Sequence, residues 1–236
     1  LLKSEIGIKK IKEKSIGTVR NTLKFKDLTS ISIPLPKLEI QNQILEELDG
    51  YQKVIDGCRQ IVENYKPSIY IDPNWETIEL GELYDENLDS KRIPIEKSKR
   101  KKGSFPYYGA SGIVDYVDDY IFDDELLLIS EDGANLIARK YPICFSARGK
   151  FWVNNHAHII RVDDKILFKY LEYYLNATDL KRYITGSAQP KLNRQSLDKI
   201  KIKIPEKKLM KQIVEEINIE LDIVNKQYEL DIVNKQ

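Results

Sequence analysis

Apolar residues from Ile44 onward fall at Ile44, Leu48, Tyr51, Ile55, Cys58, Val62 and Tyr65, in steps alternating between 4 and 3. That rhythm keeps a narrow stripe on one side of a helix, the pattern of a seam packed against a second helix. Val54 and Ile61 widen the stripe, Gly50 and Gly57 lower helix propensity, and Pro67 and Pro73 bound the helix on its far side. Such a helix needs a partner to be stable. A second long amphipathic pattern follows Pro205, through Leu209, Ile213, Ile217, Leu221, Val224 and Tyr228. The two are expected to pack antiparallel, because the globule between them must return the chain to its starting side.

Between these helices the period changes. Short apolar runs at 126–130, 143–146, 151–153, 157–162 and 200–204, broken by Gly- and Asn-rich turns, predict strands. Leu167, Tyr170, Leu171, Tyr174 and Leu175 fall on one side of a helix expected over Ile166–Ile184. The fold class is therefore α+β: a mixed globule flanked by two long helices forming an antiparallel coiled coil.

Both helical segments belong to a repeat. Residues 17–48 reappear without a gap at 186–217, so that Gly17, Leu23, Leu28, Ile31, Ile33, Pro36, Gln43 and Ile44 recur as Gly186, Leu192, Leu197, Ile200, Ile202, Pro205, Gln212 and Ile213. Each copy reads as an alternating strand, a proline and a long helix, one structural unit used twice. The chain starts in mid-pattern at Leu1 and reads as a piece of a longer two-module protein whose first copy has lost most of its front. At the other end ELDIVNKQ occurs at 220–227 and again at 229–236. A nine-residue period turns a helix through about 900°, so the second copy lengthens the helix without extending one seam.

Composition narrows the function. The chain of 236 residues has 32% charged residues but a net charge of only +1, so nucleic-acid binding must use a local basic face. No apolar run approaches the roughly 20 residues that span a bilayer, and no membrane association is expected. Cys58 and Cys144 are the only cysteines and read as buried free thiols of a cytoplasmic protein.

Five segments are richer in loop-forming and polar residues than core packing requires: Lys97–Lys102, Phe105–Gly112, Ser130–Leu136, Arg148–His158 and Gly186–Asn193. They combine cations suited to phosphates, amide forks suited to base edges, and glycines that permit close backbone approach. Lys99, Arg100, Lys101 and Lys102 are the candidates for phosphate contact. Tyr107, Tyr108, Ser111, Asn135, Arg148, Asn154, Asn155, Gln189 and Lys191 are the candidates for bases or the groove. Catalytic patterns are lacking. Asp72-Pro73-Asn74-Trp75 has one proline too few for an amino-methyltransferase loop, and no Gly-rich nucleoside-binding loop precedes it. His156 and His158, two apart on an expected strand, have only Cys144 and scattered acids to complete a metal site. Asp118, Asp119, Asp123, Asp124 and Glu125 lack the Glu-x-Lys that a nuclease would add. Neither a catalytic residue, a metal nor a cofactor is assigned.

The segments YYGASGIVDYVDDYIFDD, LLLISEDGAN, GKFWVNNHAHIIR and GSAQPKLNRQSLDKIKIKIP, in that order and followed by a long helix, resemble the DNA-specificity subunit of type I restriction–modification systems. The resemblance divides the chain into the tail of a first target-recognition domain (1–37), a central spacer helix (38–71), a complete target-recognition domain (72–205) and a C-terminal spacer helix (206–236). It implies a non-catalytic subunit in which each domain reads one half of a split double-stranded DNA target. The helices would hold the spacing and recruit methyltransferase (modification) subunits, with a restriction/translocase subunit as a further partner. Only one full recognition domain is present, so a homodimer or a second half-subunit must complete a bipartite target. A different class stays open: a fragment of a DNA-processing enzyme, methyltransferase or nuclease, whose catalytic domain is missing.

Overall fold

A computed structural model describes residues 5–15, 22–32, 34–186 and 188–233, with side chains throughout except at 63 and 227–233. Ile33 and the start of the first repeat copy lie outside the described residues, as do the side chain of Tyr228, those of the second ELDIVNKQ, and residues 234–236 altogether. The chain divides into two compact units, Leu1–Gln60 and Ile61–Gln236.

The first unit holds α1 (Glu5–Lys14), α2 (Phe25–Thr29) and most of α3 (Leu38–Asn64). Lys10 donates to the carbonyl of Ser32 at 2.8 Å. Within its own unit the α3 stripe is uncovered: Ile44, Leu48, Tyr51 and Ile55 are between 44% and 58% exposed. Cys58 shares that stripe and is exposed, which corrects the expectation that it is buried.

In the second unit a two-stranded antiparallel ribbon pairs β1 (Glu76–Glu79) with the late strand β8 (Lys201–Ile204), Ile78 opposite Ile202. The main sheet has the order β2-β7-β5-β6-β3-β4. Its members are β2 (Glu86–Asn87), β3 (Lys102–Gly109), β4 (Gly112–Val117), β5 (Phe122–Ser130), β6 (Cys144–Val153) and β7 (Ala157–Arg161). All pairings are antiparallel except β3 with β6, where Tyr107 lies beside Trp152.

β5 explains why the core reads as an unbroken apolar run. Successive side chains point to opposite faces of a strand, and both faces of this one are covered. Leu127 and Ile129 join Cys144, Ile160 and the α5 (Lys165–Ala177) residues Phe168, Tyr170, Leu171 and Tyr174 in one cluster. Leu126 and Leu128 join Phe122, Ala147, Phe151, Val153 and Ile159 in another.

Three expectations need correction. The runs at 143–146 and 151–153 are one strand, β6, whose polar middle pairs with the acidic half of β5, Glu125 opposite Arg148. The segment Phe105–Gly112, expected as a loop, lies mostly in β3. The helix expected over Ile166–Ile184 stops at Ala177. Its start is fixed by Asp164, whose carboxylate accepts from the amides of Ile166 and Leu167. Its last carbonyls are taken by the buried side of Arg139, which donates to Leu175 O at 3.1 Å and Thr178 O at 2.9 Å. A 3-10 turn at Lys181–Tyr183 follows.

The repeat survives as structure. α2 and α6 (Arg194–Asp198) are each 5 residues long, and α3 and α7 (Lys207–Val233) are each 27. All four boundaries coincide under the sequence offset. The strand does not repeat among the described residues: β8 is held by β1, whereas Ile31, Ser32 and residues 34–37 have no such partner within their unit. α7 buries Met210, Val214 and Ile217 in the α5 cluster, with Ile213 and Leu221 packed at its margin. Val224 is half-buried.

Candidate nucleic-acid interface

Three polar turns meet at one end of the second unit. The first follows β5, the second joins β6 to β7, and the third is the loop 185–193. The Glu131 amide donates to His156 O at 2.9 Å, the Gly133 amide to Pro190 O at 3.0 Å, and the Leu192 amide to Glu131 O at 2.7 Å. His156 faces the Asp132 carboxylate at 2.9 Å. Ser130 donates its hydroxyl to Ala110 O, which brings in the β3–β4 turn that carries exposed Ser111. Thr185 and Lys191 exchange backbone hydrogen bonds at 2.8 Å, which tie together the two ends of a small lasso that carries Gln189. Gly186 makes that lasso possible: its φ is +80°, and a Cβ there would sit 2.4 Å from Gln189 O.

The structure sorts the candidate residues. Asn155, Gln189 and Lys191 are exposed together at this end. Asn154 is there too but is 7% exposed, its Oδ1 accepting from the His156 amide, so it shapes the turn. Asn135, at the start of α4 (Asn135–Ala138), spends both amide atoms on the backbone of Tyr141. Arg148 lies mid-strand, exposed and paired with Glu125 at 2.5 Å.

Tyr107 is corrected to a core residue: it is 1% exposed and its hydroxyl accepts from the Ile95 amide. Its neighbour Tyr108 is half-buried, stacked on Phe145 with ring centroids 5.9 Å apart. In the basic segment Arg100 is an internal anchor. It lies over the Tyr107 ring at 4.5 Å and pairs with Asp115 at 3.1 Å. The Tyr116 amide and Arg100 together hold the Asp115 carboxyl below its ordinary range. Lys99, Lys101 and Lys102 are exposed. Gly103 fixes where they stand, since a Cβ there would lie 2.2 Å from Val117 O.

Helix-seam candidates are distributed otherwise. Tyr65 donates to the Glu220 carboxylate on α7, and burial together with that carboxylate pushes its hydroxyl up to about 12.

A partly buried charged knot behind the three turns escaped the sequence reading. Arg92 reaches Glu131 at 2.5 Å and Asp89 at 3.7 Å, Lys191 reaches Glu131 at 3.1 Å, and Arg194 lies 3.6 Å from Asp89. Burial alone would raise Asp89, but the His158 hydrogen bond and charge, the Ile159 amide and Arg92 outweigh it and hold the carboxyl low. Glu131 is likewise held low, by Arg92 and Lys191 against its burial. No spacing betrays the knot, because Asp89 and His158 are 69 positions apart.

The two histidines do not act as a pair. His156 sits exposed in the turn, whereas His158 is inside β7 and buried. Among the described residues no cluster of His, Cys, Asp and Glu could hold a metal, and no helix is long and apolar enough to cross a membrane.

The chain is 35% identical over 127 residues to a type I restriction enzyme specificity subunit of Haemophilus influenzae, covering 54% of this chain and 32% of that protein. It is 30% identical over 114 residues to the EcoprrI specificity subunit of Escherichia coli, covering 47% and 26%. The matched stretches thus span about a third or less of those relatives. The crystal structure of a type I restriction–modification S subunit from M. genitalium shares the fold, with a TM-score of 0.53 at 14% identity over 96% of this chain and 67% of that one. The type I restriction modification DNA specificity domain matches residues 2–63 and 73–227, nearly the whole of the sequence and both copies of its repeat, and the chain belongs to that family.

Proposed function

We propose that the chain reads double-stranded DNA without catalysing a reaction, and directs methyltransferase (modification) subunits in the cytoplasm to one half of a bipartite target. The observation that carries this is the convergence of three turns on one end of the second unit, with the exposed amides of Asn155 and Gln189 beside the Lys191 cation. Amide side chains there can fork onto base edges, while Lys99, Lys101 and Lys102 supply phosphate contacts. Residues 72–205 form the recognition domain, with 38–71 and 206–236 as spacer helices and 1–37 as the tail of another recognition domain.

The uncovered α3 stripe supports a helix-pairing role, with a helix of the α7 pattern as its partner. A second recognition domain comes from a copy or a second half-subunit, and a restriction/translocase subunit joins the assembly. Selection of duplexes from a randomised library with the purified chain tests this. Enrichment of one short half-site, without methylation or cleavage by the chain, is expected. Enrichment of nothing, or methyl transfer that tracks the chain through a sizing column, overturns it.

A further inference from the structure

The knot contains one histidine placed where its protons are dictated by geometry. His158 is 1% exposed. Its Nδ1 lies 2.6 Å from Asp89 Oδ2, and its Nε2 lies 2.7 Å from Leu192 O. A carboxylate and a peptide carbonyl can only accept, so both ring nitrogens donate and both carry protons. A neutral ring would aim a lone pair at one of these oxygens. The groups facing it come from every neighbouring element. They are Asp89 and Arg92 from the turn after β2, Glu131 from the end of β5 at 3.9 Å, and Arg194, at the start of α6, through Asp89.

Leu192 is the neck of the lasso. Its amide donates to Glu131 O at 2.7 Å, and its carbonyl accepts from His158. The residue before it, Lys191, closes the lasso on Thr185 and pairs with Glu131. Gln189 stands exposed at the far side of the loop. The neck is therefore clamped from both sides, once by backbone and once by the imidazolium.

We propose that His158, held between Asp89 and the Leu192 carbonyl, is the positioning residue that sets Gln189 and Lys191 for base reading, a role resting on the DNA-reading function proposed above. It touches no DNA itself. Loss of the imidazole contact with Leu192 O loosens the lasso while the β-sheet below it stays formed.

Two variants separate the possibilities. His158→Gln can satisfy only one of the two oxygens. Asp89→Asn keeps an oxygen for the Ile159 amide, which now binds Asp89 Oδ1 at 2.8 Å, and offers an N–H to a neutral ring. That ring then needs only its Nε2 proton, which still reaches Leu192. Hydrogen exchange of the full chain, corrected for intrinsic rates, reads the Lys191 and Leu192 amides. At one fixed pH near neutrality their protection should fall by about tenfold or more in His158→Gln relative to the parent chain. Asp89→Asn, which still gives the ring a partner, should stay close to the parent. Discrimination between a duplex enriched by the parent chain and its scrambled counterpart should follow the same order, with an unchanged salt slope. His158→Gln protection equal to the parent's overturns the proposal. If exchange behaves as expected but the parent chain discriminates no duplex, the DNA-reading role falls and the clamp on the loop remains.

Discussion

Replacing Gly186 by alanine isolates the cost of closing the lasso, because Gly149 supplies a matched control. Both glycines have positive φ, +80° and +73°, but a Cβ on Gly149 meets nothing within 4 Å, whereas one on Gly186 meets Gln189 O at 2.4 Å. At either site the left-handed backbone costs an L-residue about 1–2 kcal/mol. Part of that is offset by about 0.4–1 kcal/mol from the stiffer unfolded chain. Gly149→Ala should therefore destabilise by no more than about 1.6 kcal/mol. Gly186→Ala adds a clash with backbone, which cannot rotate away as a side chain can, and overpacking of that kind costs roughly 1–3 kcal/mol. Each kcal/mol moves the melting temperature of a domain this size by about 2–4 °C. Thermal melts of both variants and the parent measure the difference directly. Gly186→Ala should also lose exchange protection at Lys191, which Gly149→Ala should not. Equal melting temperatures for the two variants would show that the loop yields at no cost and that its shape is not imposed by the glycine.

Changing Lys99, Lys101 and Lys102 together to Ser should flatten the log–log salt dependence of duplex binding by about 0.9 for each phosphate that is no longer neutralised, while base preference is retained. An unchanged slope assigns these lysines to solvent alone. Acid sensitivity should reside in the knot. The Asp89 and Glu131 carboxyls are held low when folded, so the unfolded chain binds more protons as pH falls. Their contribution is complete above about pH 5 and drains on acidification, and urea midpoints of Asp89→Asn should vary less with pH in that window than the parent's. Leu48→Ala, at an exposed site, should change stability by no more than about 0.5 kcal/mol yet weaken self-association or partner capture. A drop of several kcal/mol in the chain alone would mean that the stripe is already covered.

The features written in local periodicity were the most legible. Heptad steps marked α3, the amphipathic pattern after Pro205 marked α7, and the apolar runs marked β5, β7 and β8. β3 and β4 were missed because Gly103, Gly109 and Gly112 imitate loop chemistry while the backbone pairs regularly, with bulges near Lys102 and Tyr107. Tyr107 looked like a groove residue because a tyrosine can serve either core or surface. What decides is the Ile95 amide that binds its hydroxyl, a partner 12 positions away. Arg100 and Asn135 misled similarly: their polar atoms are consumed by Asp115 and by Tyr141. The knot was invisible because its members come from distant strands and turns. A chain of polar residues shows which groups could bind a ligand, and only the tertiary fold shows which are already engaged.

The β1–β8 ribbon bears on how such chains change over time. Glu76 and Ile204 are direct partners, and the Lys203 ammonium donates to the carbonyls of Pro73 and Trp75 at 2.5 Å and 2.9 Å. The points where the globule leaves and rejoins the rest of the chain are thus held one strand spacing apart, about 4.8 Å. A segment with adjoining ends can be exchanged by recombination for another of different length and surface without displacing what lies on either side. Every residue proposed to read DNA lies between those two points, so one crossover at each end of the ribbon would transplant a whole specificity intact.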